Sequence, residues 1–118
     1  MGSMVAAQCE CGFEEQFSIG AGWANCNDTC SFPALCKRCG EMIEVNLLSP
    51  KAKCSKCRSR DILAYDDDSL RGDLGSVEVM SWNVEEQLGR IPCLTDGTYY
   101  CPKCKQLSLR FFVTGFFD

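Results

Sequence analysis

Cys36-Lys37-Arg38-Cys39 is followed, fourteen residues on, by Cys54-Ser55-Lys56-Cys57. Two cysteines separated by two residues on a tight turn aim both sulfurs at one point. Amides inside the turn donate to the thiolates, lowering their basicity and fixing their geometry. Gly40, directly after Cys39, supplies the backbone freedom that such a knuckle needs. Two knuckles joined by a strand and a loop close a tetrahedron of sulfur, and this C-x2-C-x14-C-x2-C spacing lies just below the range usual for zinc sites. Buried free thiols would have no reason to repeat it. Zinc is expected on Cys36, Cys39, Cys54 and Cys57, with iron as the competitor because a four-thiolate tetrahedron takes either metal.

Cys101-Pro102-Lys103-Cys104 is a third knuckle in need of a partner. The shorter pair Cys9-Glu10-Cys11, followed by Gly12, stands at the other end of the chain and would complete a second site. The rival pairing joins Cys9 and Cys11 to Cys26 and Cys30, but leaves Cys101 and Cys104 with Cys93 alone, a three-ligand set. Ligand counting favours the terminal pairing, and hence two zinc ions per chain. Cys26, Cys30 and Cys93 then remain, as small buried apolar residues or as a reactive or substitute ligand.

The chain holds eleven cysteines and no histidine. The commonest general base and the commonest nitrogen ligand are both missing, so no Ser-His or Cys-His pair exists to make a nucleophile. An all-cysteine site is normally closed, with no position for water or substrate, which argues against an enzyme and against a small-molecule substrate. Met1-Gly2-Ser3 reads as a cloning remnant ahead of a start at Met4, and no secretory signal follows. A reducing cytoplasm is the expected compartment. No segment approaches the roughly 18 apolar residues of a membrane-spanning helix.

These cysteines must be held by a mostly β fold with one short helix. Apart from cysteine the core is thin for 118 residues, and a short chain of this kind needs staples. Residues 4–118 read as one compact unit. A central ribbon spans 31–65, with strands at Met42–Leu48 and Asp61–Tyr65. A terminal ribbon joins 8–25 to 77–118, enclosing the first, and an acidic loop spans 66–76. Asn83 and Glu86 fit a capping box and Gly89 a helix stop. Asp96-Gly97 carries a hairpin signal. Leu107, Leu109, Phe111 and Val113 alternate as one face of a last strand.

The knuckles resemble zinc ribbons of the rubredoxin-knuckle type. The order C-x-C-G, PALCKRCG, VNLL, CSKC, YDD and LTDGTYYCPKC through LRF resembles a group of small bacterial zinc-ribbon proteins without a characterised function. The resemblance implies β-hairpins around structural zinc, with Cys36, Cys39, Cys54, Cys57, Cys101 and Cys104 at family-like positions, and implies no activity. Arg58 and Lys105 stand where such knuckles usually carry glycine, so a different bend is expected at those two turns.

Three functions fit a double ribbon. The first is a protein-interaction or regulatory module, whose tail residues Phe112, Phe116 and Phe117 would form an adhesive patch if the core does not bury them. The second is nucleic-acid binding through Lys51, Lys53, Lys56, Arg58 and Arg60. Residues 31–63 hold seven basic and three acidic side chains, while the rest of the chain is acidic and the net charge is -4. The third is a zinc-thiolate redox switch, because a C-x-C pair with a C-x2-C pair resembles the site of redox-regulated holdase chaperones. No βαβ pattern supports a thioredoxin-like enzyme. Asp66, Asp67 and Asp68 are consecutive, cannot converge on one substrate, and read as a solvated turn.

Overall fold

The computed structural model of the chain describes residues 2–20, 29–49 and 51–117, with the side chain of Phe117 left out. It is mostly β with one short helix. Strands β1 (Gly2–Gln8), β2 (Glu14–Ile19), β8 (Tyr99–Tyr100) and β9 (Leu107–Phe117) form one antiparallel sheet in the order β2-β1-β9-β8. Strands β3 (Ser31–Cys36), β4 (Met42–Asn46) and β5 (Ile62–Ala64) form a second in the order β4-β3-β5, and β6 (Glu78–Ser81) pairs with β7 (Cys93–Thr95).

The first sheet brings the two ends of the chain together, because β1 pairs along β9 from Gly2 opposite Phe117 to Gln8 opposite Arg110. Val5 and Ala7 face inward with Phe111, Phe17 and Ile19, and all five are buried. Thr114 is an extra residue between the pairs Met4–Gly115 and Val5–Val113. Such a bulge reverses the side-chain alternation beyond it. The expected regular face of β9 holds at Leu109 and Phe111, which are core, and fails at its ends: Leu107, beyond a second irregularity at Ser108 between the pairs Tyr99–Leu109 and Tyr100–Leu107, is 50% exposed, and Val113, next to Thr114, is 40% exposed.

Strand β3 lies at the centre of the second sheet despite Pro33. The Pro33 carbonyl accepts from the amide of Tyr65, just past the end of β5. The Pro33 nitrogen faces that same side, one rung beyond the Ala34–Ala64 pair, so the proline forgoes only the reciprocal bond to Tyr65 and leaves the β3–β4 pairing intact. Residues 21–25 of the expected terminal ribbon lie outside the described residues. Phe32, Leu35 and Met42 from the second sheet share a single core with Val5, Phe17, Leu109 and Phe111. At its centre Phe111 meets Tyr99 and Tyr65 edge-on, with ring centroids 5.0 and 5.8 Å apart, and the Tyr65 hydroxyl donates to the Tyr100 carbonyl at 2.8 Å. Each aromatic pair adds about 0.5–1.5 kcal/mol beyond area burial. A smaller cluster of Ala34, Cys36, Ile43, Val45 and Cys54 backs the central cysteines.

Three turns differ from the sequence reading. Helix α1 is only Glu85–Leu88; Gly89 ends it in the left-handed conformation as expected, but Val84 is the N-cap and Asn83 reaches only the Glu85 amide at 3.4 Å. Asp96-Gly97 makes no hairpin, since β7 pairs with β6 and β8 with β9. Gly97 instead lets the 72–75 loop lie against it, and a Cβ there would stand 2.0 Å from the Asp73 carbonyl oxygen. The acidic run is only partly a solvated turn: Asp66 is nearly buried and holds Arg90 through both carboxylate oxygens at 2.7 and 3.1 Å.

Candidate metal centres

The three C-x2-C knuckles are built alike. In each, the first cysteine's amide donates to the carbonyl five residues on: Cys36 to Glu41 at 2.9 Å, Cys54 to Ser59 at 2.8 Å, Cys101 to Gln106 at 2.8 Å. Its carbonyl accepts from the residue four on, Gly40, Arg58 and Lys105 respectively, at 2.8–2.9 Å. That fourth residue is left-handed in all three, with φ of 75°, 63° and 62°. The expected change of bend at Arg58 and Lys105 does not occur; both adopt the glycine conformation. A left-handed non-glycine residue costs about 1–2 kcal/mol. The Cys9-Cys11 turn is the same device one residue shorter: Cys9 donates to Phe13, Gly12 donates to Cys9, and Gly12 has φ 100°.

These turns assemble two groups of four sulfurs, Cys36, Cys39, Cys54 and Cys57, and Cys9, Cys11, Cys101 and Cys104, with all atoms of a group within 4.8 Å of one another. The rival pairing with Cys26 and Cys30 is not the one formed. Cys30 is buried apart from both groups, and Cys26 lies outside the described residues. The shortest sulfur pairs are Cys36–Cys57 at 3.4 Å, Cys39–Cys54 at 3.7 Å, Cys9–Cys104 at 3.6 Å and Cys11–Cys101 at 3.6 Å. A tetrahedral ion with metal–sulfur bonds of about 2.3 Å gives sulfur–sulfur edges of about 3.8 Å. The residues therefore fit a metal ion at each site.

The electrostatics also call for a cation. At the central site the Cys57 amide, together with that of Lys56, outweighs desolvation and lowers the Cys54 thiol to about 6. At Cys39 the Glu41 amide is the largest influence and favours the thiolate. Desolvation and the sulfurs of Cys36, Cys54 and Cys57 together override it and push that thiol up to about 12. At the terminal site burial, helped by the sulfurs of Cys11 and Cys104, pushes Cys101 up to about 12. In the central group Cys54 ionises readily while Cys39 holds its proton, and a bound cation would let all four thiols ionise together.

Ser108 was not announced by any spacing. Its hydroxyl sits 3.1 Å from the Cys9 sulfur and 3.7 Å from that of Cys104, where it orients both ligands. It faces the site as the extra residue of β9 between the pairs Tyr99–Leu109 and Tyr100–Leu107, while Leu109 takes the core side. The two centres adjoin: Gly40 and Glu41 beside the central site, and Phe13, Pro102 and Lys103 beside the terminal one, line a cleft of about 230 Å3.

The other candidate residues lie outside both groups. Lys51, Lys53, Lys56, Arg58 and Arg60 are all exposed, and Lys56 pairs with Glu41 at 3.2 Å. Phe112 is 48% and Phe116 77% exposed, while Phe117 continues the backbone of β9. Burial raises the Cys30 thiol to about 11, and burial together with Glu78 raises Cys93 to about 11. No family model, no curated protein and no solved structure matches the chain.

Proposed function

We propose that both centres hold zinc and that the chain is a non-catalytic zinc-ribbon module of the rubredoxin-knuckle type, working in the cytoplasm by binding a protein partner. The observation that carries this reading is that each centre is complete with four cysteine sulfurs. A closed four-thiolate site supplies folding energy and offers no position to a substrate. Binding then falls to the surface. Phe112, Val113 and Phe116 are exposed on β9, with Val77 60% exposed nearby. Val77, Val79, Phe111, Phe112 and Val113 border a cleft of about 400 Å3 together with Glu78, Asp96 and Arg110, an apolar floor rimmed by charge of the kind that suits a protein partner. The test is a Phe112→Ser/Phe116→Ser variant, used beside wild type to capture partners from nuclease-treated lysate. Loss of a specific protein with unchanged thermal stability supports the reading; an unchanged set of captured proteins contradicts it.

A second reading, nucleic-acid binding, is favoured by one observation. Of the five basic residues between Lys51 and Arg60, only Lys56 forms an ion pair among the described residues.

A further inference from the structure

The positions of Arg58 and Lys105 are the least explained feature of the centres. Their knuckles repeat the hydrogen bonding of the Cys36–Gly40 knuckle, and glycine fills the equivalent left-handed position there and at Gly12. A strained conformation kept where glycine would relieve it points to a use for the side chain. Both side chains are cations, both are exposed, and one sits at each centre.

They are not isolated. The knuckle turns also carry Lys37, Arg38, Lys56 and Lys103, and Lys51, Lys53 and Arg60 flank the second knuckle, so nine of the twelve basic residues gather at the metal ends. The cleft bordered by Gly40, Glu41, Pro102 and Lys103 joins the two ends. Glu41, on its wall, pairs with Lys56, and Asp61 pairs with Lys37 at 3.9 Å. Arg38, Lys51, Lys53, Arg58, Arg60, Lys103 and Lys105 form no ion pair among the described residues. Glu10 is the acid within the Cys9–Cys11 turn. The rim thus sets nine cations against the acids Glu10, Glu15, Glu41 and Asp61, a net positive surface spread over both centres, the pattern that tracks a phosphodiester backbone.

We infer that the knuckle tips of the two centres together form a phosphate-binding rim for single-stranded nucleic acid, with Arg58 and Lys105 as its anchors. The inference rests on the second reading above and extends it, since the site includes the terminal centre as well as residues 51–60. The competing role for the two cations is internal, offsetting the charge of about -2 on each four-thiolate zinc centre.

The test compares wild type with Arg58→Gly/Lys105→Gly, whose glycines suit the turns, and with Lys51→Ala/Lys53→Ala/Arg60→Ala. Each zinc-loaded protein is titrated with a 20-nucleotide single-stranded DNA over a range of salt, alongside polyglutamate, with zinc content and thermal stability measured in parallel. Wild type is expected to bind the DNA. The glycine variant is expected to keep its zinc, to be at least as stable as wild type, to bind more weakly, and to show a log–log salt slope shallower by about 1.4, two phosphate contacts at about 0.7 each. Unchanged DNA binding in the glycine variant, with loss only in the alanine variant, overturns the inference and leaves the second reading standing. No DNA binding by wild type overturns both. Equal binding of polyglutamate, or loss of zinc in the glycine variant without loss of DNA binding, also overturns the inference, in favour of an acidic partner or of internal charge balance.

Discussion

Cysteine identity and spacing carry most of the chemistry at the scale of single residues. The eight ligands were legible because a knuckle is a local structure: six residues contain both of its backbone hydrogen bonds and both sulfurs. Ser108 was not legible, since a hydroxyl acquires its role only when β9 lays it beside Cys9, ninety-nine residues away. The three cysteines outside the pattern show the same limit. Cys93 has its sulfur 3.3 Å from a Glu78 carboxylate oxygen, and with burial as the larger cause its thiol is raised to about 11. Its thiolate is therefore scarce near neutrality. Alkylation of the metal-loaded protein at pH 8 is expected to leave Cys93 unmodified, with labelling rising about tenfold per pH unit until pH nears 11. Glu78→Gln removes the neighbouring charge, lowers the thiol pKa and should raise labelling at any fixed pH. Mass-spectrometric mapping of the label checks this, and rapid labelling at pH 8 would contradict it.

Alternation and turn chemistry located strands β4, β5 and β9 to within a few residues at the scale of elements, because each buries one face against the core. The signals that misled were those whose meaning depends on tertiary partners. Asp96-Gly97 is a hairpin dipeptide, yet its glycine serves close backbone approach: Gly72 and Thr98 exchange bonds with the strand across the loop, through Gly72 N–H to the Thr98 carbonyl at 2.8 Å and Thr98 N–H to the Asp73 carbonyl at 3.1 Å. The Asp96 carboxylate accepts from the Ser76 and Val77 amides at 2.8 and 3.1 Å. Gly97→Ala would drive a methyl group into the Asp73 carbonyl. The expected loss is about 2 kcal/mol, read as a fall in Tm of roughly 5–10 °C, with zinc content unchanged. An unaltered Tm would mean that the loop does not pack on Gly97. The bulge at Thr114 was likewise invisible, since an extra residue shows itself only against a paired strand.

The sequence predicted the fold class and the two four-cysteine groups at the scale of the whole molecule, but not how the ribbons share one core. That sharing comes from Phe32, Leu35 and Met42, which are ordinary strand residues until the second sheet packs on Phe17 and Phe111. It gives the two metal centres separate mechanical duties. The central site closes the β3–β4–β5 sheet, while the terminal site ties the first turn of the chain to the last. Cys39→Ser should cost one zinc ion, loosen residues 31–65 and leave the terminal site filled. Hydrogen exchange confined to the central sheet would support this division, and uniform unfolding would show that the shared core cannot stand without both ions. Structural zinc typically contributes about 10–16 kcal/mol of apparent binding free energy, so with zinc at both sites as proposed, the thin core would depend on their occupancy. The most direct test of the account is native mass spectrometry of protein purified without added metal, with elemental analysis of the same sample. The account predicts two zinc ions per chain, both lost with the fold on chelation. Fewer than two, iron in their place, or ligand cysteines recovered as disulfides in folded protein would contradict it.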